Sequence, residues 1–200
     1  MKMTAFWYRV LSVRRKRFLW RDQRASQVVE FAVALPLLVV FVVGIFDFSG
    51  AFTLKQKLAN AAREGARAAA SGPANDLANP SAAVPASVSD SVQVIKNYLD
   101  SAAVNDCGLP GTTPAPNKLS WTYTAKANGC PGNGIKITIN RACITPQTVG
   151  GAVVDVVNTC VQIQYSYKWQ FNKVITLLAT GANYPGITDL TTSAVAMNEN

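Results

Sequence analysis

One glutamate, Glu30, stands directly in front of a long apolar run. Phe31 to Phe46 carries no charge, Asp47 interrupts, and Phe48 to Leu54 resumes the apolar character. A carboxylate carried into a bilayer costs a few kcal/mol and needs a partner there. Four cysteines, Cys107, Cys130, Cys143 and Cys160, all follow the run. An even count in an exported region implies two disulfides. Of the three possible pairings, Cys107–Cys130 and Cys143–Cys160 are favoured because each closes one local loop. No Cys-x-x-Cys pair is present, which argues against a structural zinc site. The chain has no histidine, so it lacks the commonest general base and metal ligand, and no Ser–His–Asp triad can form. GAVVD at 151–155 lacks the lysine and spacing of a phosphate loop. These residues imply no catalytic centre, no metal site and no cofactor.

The elements that must carry them follow from charge and periodicity. Phe31 to Leu54 is 24 residues, roughly 36 Å as a helix, against about 30 Å of hydrocarbon. Lys55 to Ala70 continues without a breaker until Ser71-Gly72-Pro73, so one helix is expected to leave the membrane and run on. Before Ser26 there are eight Lys/Arg against one acid; from Ser26 onward, eleven against ten. The basic balance therefore belongs to a leader, residues 1–25. A basic block before an apolar span holds the N-terminus in the cytoplasm, and that position argues against a nucleic-acid arm. It is not an ordinary secretory signal, since the long apolar run comes after the small residue Ala25.

The expected organisation is a cytoplasmic leader (1–25), a transmembrane helix (26–71), a Pro/Ala/Asn linker (72–85) and an exported head (86–200). In the head, Val88, Val92, Ile95 and Leu99 form a helical stripe, which predicts a helix over about 86–103 packed on a sheet. Strands are predicted at 119–125, 134–140, 160–169 and 190–197. Cys143 is expected to end one strand and Cys160 to start the next, so that their bridge pins the ends of a long loop. Val174 to Thr180 is an apolar patch of undecided type. The fold class is α+β, with one short helix and an antiparallel sheet of about four strands.

A basic leader, Ala25, Ser26, then Glu30-Phe31 five residues into the segment resembles the processing site of type IV prepilins. Val29-Glu30-Phe31-Ala32, Pro36, Gly44 and Arg63-Glu64-Gly65-Ala66-Arg67 together resemble the TadE-like family of tight-adherence (Tad, or Flp) pilus assembly proteins. Ala25 stands where that site more often has Gly. The resemblance implies a type IV pilin-like fold and a minor pilin or pseudopilin role in the bacterial inner membrane. It implies a periplasmic or extracellular head that could also enter the surface pilus. It also implies cleavage between Ala25 and Ser26 by a prepilin peptidase, with other Tad pilins, platform proteins and the lipid bilayer as partners.

By the same resemblance Glu30, with Phe31, Pro36 and Gly44, serves assembly, Glu30 pairing with the Ser26 amine of a neighbour. Ala62, Gly65, Ala66 and Ala69 make a small-residue stripe. It fits either a neighbouring pilin helix or this chain's own sheet. Arg63, Glu64 and Arg67 contact headgroups or a partner, or are simply solvated. The competing reading is a membrane-anchored adhesin with the same anchor and no assembly role.

Overall fold

The computed structural model describes residues 23–78, 83–109, 112–171 and 186–199. Most of the basic leader, the middle of the 72–85 linker and the Val174–Thr180 patch lie outside those residues. The first element, α1, runs unbroken from Gln23 to Ser71 with Pro36 inside it. Pro removes one backbone hydrogen bond from the ladder, which a helix can absorb locally. A short 3-10 turn, Ala74–Leu77, and the helix α2, Ala86–Ser101, follow. Five strands complete the chain: β1 Ala115–Asn117, β2 Ser120–Ala125, β3 Ile135–Val149, β4 Ala152–Lys168 and β5 Ile187–Met197. They form one antiparallel sheet in chain order, β1-β2-β3-β4-β5. The chain divides into two compact units, Met1–Val39 and Val40–Asn200.

Alternation sets the sheet's register. Trp121, Tyr123 and Ala125 oppose Ile139, Ile137 and Ile135, which in turn oppose Val161, Ile163 and Tyr165. All nine are buried, because a period of two puts every second side chain on one face. The other wall of the core is helical. Leu58, Ala61, Ala62, Ala66 and Ala69 of α1 are buried, with Val88, Ile95 and Leu99 of α2. All belong to one continuous cluster with the sheet residues.

Three features differ from the sequence reading. The α2 stripe is predicted to meet a sheet, but its middle meets α1. Ser91 Oγ donates to the Gly65 carbonyl at 2.8 Å, and a Cβ on Gly65 would come within 2.5 Å of Ile95. Small residues on α1 permit this approach, so the two helices pack together before they share a core with the sheet. Second, residues 143–160 are not a loop. β3 continues to Val149 and β4 begins at Ala152, joined by Gly150-Gly151 at φ +61° and +86°. Two residues with positive φ match the twist of a tight hairpin. The Cys143–Cys160 bridge therefore ties two paired strands together rather than closing a loop. The Cys107–Cys130 bridge joins the segment after α2 to the β2–β3 turn. Third, the sheet has a fifth strand, the three-residue β1. With Pro114 before it and Pro116 inside it, it is too short to show a pattern.

Opposite Thr159, β3 carries an extra residue, and the register shifts between Asn140 and Cys143. Such a bulge re-aims side chains. Here it buries Arg141 to 3% exposure and lets its Nη2 donate to the Gly72 carbonyl at 3.1 Å. The bulge thereby ties the end of α1 to the sheet.

Candidate assembly helix and its contacts

The first turns of α1 hold the residues singled out for assembly. Ala25 and Ser26 lie in α1, close to its first described residue, Gln23. Ser26 and Glu30 are four apart, and the serine hydroxyl reaches Glu30 Oε1 at a long 3.5 Å. The spacing puts both on one face. Glu30 and Phe31 are exposed, as are Val33, Leu37, Leu38 and Phe41. This helix is long and apolar enough to cross a membrane, with mean hydropathy 2.7 over its best window and none of that window buried. Exposed apolar side chains over such a length call for a non-aqueous surrounding. Pro36 and Gly44 are half-buried, and a Cβ on Gly44 would make ordinary contact with Phe171 at 3.6 Å.

The Arg63–Arg67 block splits by face. Gly65 and Ala66 point inward to α2 and the core. The small-residue stripe thus packs within this chain, in the shared core, but Gly65 meets α2 rather than the sheet that was expected. Arg63, Glu64 and Arg67 point outward. Arg67 pairs with Glu64 at 3.3 Å, and Arg63 donates to Asn60 at 3.3 Å. Exposed pairs of this kind contribute little to stability, so these side chains remain available to a partner.

A cluster that sequence reasoning did not assemble lies midway along α1. Asp47 is only 7% exposed. Tyr167 at the end of β4 donates its hydroxyl to Asp47 Oδ1 at 2.8 Å, and the Phe171 backbone N–H donates to Oδ2 at 2.8 Å. Gly50, one turn on, leaves room for the tyrosine oxygen: a Cβ there would sit 3.1 Å from it. Burial, then the hydrogen bond and the charge of Asp47, push the Tyr167 hydroxyl up to about 12. The signal was the break in the apolar run. An acid inside such a run marks a partnered site, but its partners come from more than a hundred residues away.

Further charges are structural. Burial pushes Arg141 below its ordinary value, opposed by Asp76. Asp76 Oδ2 also accepts the Ser87 N–H at 2.8 Å, occupying a donor at the start of α2 that helix geometry leaves free. Among the described residues no group of His, Cys, Asp or Glu could hold a metal ion.

A long apolar helix followed by an α+β head with one antiparallel sheet is a pilin-like arrangement, and one helix of the chain is long and apolar enough to cross a membrane. Residues 25–67 match the family model described as TadE-like protein, the same stretch that holds Glu30, Pro36, Gly44 and the Arg63–Arg67 block. No curated protein and no solved structure matches the chain.

Proposed function

We propose that the chain is a minor pilin or pseudopilin-like component of a Tad (Flp) pilus assembly machine, anchored in the bacterial inner membrane with its head on the far side. The TadE-like match over residues 25–67 carries this reading. The exposed apolar first half of α1 supports it, because it offers a surface for lipid or another helix.

In this reading a membrane prepilin peptidase cuts between Ala25 and Ser26. The new amine of Ser26 then stands one helical turn from Glu30. A neighbouring subunit's amine satisfies the Glu30 carboxylate in the apolar surrounding, so that charge pairing sets the register between helices as they pack. Arg63 and Arg67 are the side chains placed for platform or pilin partners.

N-terminal sequencing of the protein from membranes and from sheared pili tests this directly. A chain beginning at Ser26 is expected in both fractions or in membranes alone. An uncleaved protein dispersed evenly in the membrane would overturn the reading and favour a tethered adhesin. Glu30→Gln keeps the shape of the side chain and removes its charge, and is expected to abolish recovery with other pilins. Recovery at wild-type level would remove Glu30 from the mechanism.

A further inference from the structure

The two carboxylates of the apolar stretch, Glu30 and Asp47, are seventeen positions apart on α1. That is about 25 Å of helix, less than the roughly 30 Å of a hydrocarbon core. A membrane that takes in the apolar run from Phe31 to Leu54 includes Asp47. Asp47 suits that depth, since both its oxygens are hydrogen-bonded by the head and its carboxylate is covered. The groups that cover it, Tyr167 and Phe171, are then at the same depth.

The surroundings are apolar and exposed. Phe41, Ile45, Phe46, Phe48 and Phe52 are exposed at 56–75% around the same level. Val40, Phe41, Gly44, Ile45, Phe48 and Phe171 line an open apolar groove between helix and head. Trp169 stacks edge-on against Tyr167, with ring centres 5.0 Å apart, and its indole N–H is engaged by Thr188 at 2.8 Å. Tyr and Trp collect at membrane–water boundaries because one part of each ring system is apolar and another polar. Further along α1, Lys55 is exposed, placed to meet lipid phosphates.

We infer that the head is partly immersed in the leaflet on its own side, with lipid acyl chains filling the groove and Tyr167–Phe171 lying at the depth of Asp47. This rests on the membrane-spanning part of the proposed function but not on cleavage or pilus assembly. Asp47 fixes how deep the head sits, because its carboxylate enters the apolar layer only while the head covers it. The membrane surface itself becomes part of the head's docking geometry.

The test uses the full chain in phosphatidylethanolamine–phosphatidylglycerol vesicles, with Trp7 and Trp20 changed to Phe. Trp121 is buried in the core and serves as an internal reference, and Trp169 is the reporter. Lipids brominated in the upper acyl chain are expected to quench the Trp169 emission, as for a ring at the membrane–water interface, while aqueous iodide leaves it nearly unchanged. Trp169→Phe should abolish that quenching, and an unchanged Trp121 signal shows that the variant is folded. Iodide quenching without bromolipid quenching overturns the inference. So does protection from both quenchers, and if that protection is relieved by diluting the protein in lipid, the groove belongs to a second copy. Failure to float with the vesicles overturns both this inference and the membrane reading. Pilus assembly does not enter the readout, so the two proposals fail separately.

Discussion

Gly65 shows how one missing side chain sets a packing distance. Its carbonyl accepts from Ser91, and Ile95 lies where a Cβ would go. Gly65→Val forces the two helices apart. Overpacking of this kind typically costs about 1–3 kcal/mol, and a lower thermal midpoint by circular dichroism in detergent is the expected result. Tyr167 supplies a pH prediction. Burial, then the hydrogen bond and charge of Asp47, push its hydroxyl up to about 12 from an ordinary value of about 10. The raised value means that the contact contributes fully below pH 10 and is lost as pH rises from 10 toward 12. Tyr167→Phe should flatten that part of the stability-versus-pH curve. Tyr123 and Tyr165 are also raised by burial, so the difference between wild type and variant is the quantity to follow. An unchanged curve would show that the Asp47 contact does not hold the strand to the helix.

Among the elements, the β3–β4 hairpin was the largest departure from expectation. Its distal part carries exposed Ile144, Val153, Val154 and Val157, so no face is buried and no alternation appears in the sequence. The readable signal was Gly150-Gly151 between β-branched runs, a hairpin turn by its chemistry. Replacing both glycines by Val puts two L side chains at positive φ, at a cost of about 1–2 kcal/mol each. Faster amide exchange is expected across Ile144–Val157. The single change Gly150→Asn, with Gly151 kept, supplies a residue that tolerates positive φ and should leave exchange unchanged. The run and the C-terminal end of α1 were legible, because hydropathy and the Gly72-Pro73 stop agree with its end at Ser71. The α2 stripe was equally plain, but periodicity names a buried face without naming what covers it.

The whole molecule divides differently from what composition suggests. The expected head began at residue 86, yet Leu58, Ala62, Ala66 and Ala69 of α1 are part of its core. A fragment of residues 56–200 is therefore expected to fold with both disulfides formed. A fragment starting at residue 72 exposes the sheet's inner face and should bind a hydrophobic dye and aggregate. Equal stability of the two, by denaturant melt, would show that the second half of α1 is not structural. Removing Cys107 and Cys130 together should lower the stability of the longer fragment by about 3 kcal/mol, the usual effect for a loop of this size.

Local information in the chain determined the apolar helix, the charge asymmetry, the α2 stripe and the core strands, and favoured the two disulfide pairs. Each depends on periodicity, run length or short spacing. The TadE-like motif was also legible, since its residues all lie within residues 25–67. Tertiary structure alone decided what the inward faces meet. It placed Gly65 against Ile95, turned Arg141 inward at a bulge, and brought Tyr167 and Phe171 to Asp47 across 120 or more positions. The physical reason is common to all three. A buried polar group or a close approach must be satisfied by whatever the fold brings near, and the identity of that neighbour is set by how the elements pack, not by the residues beside it in the chain.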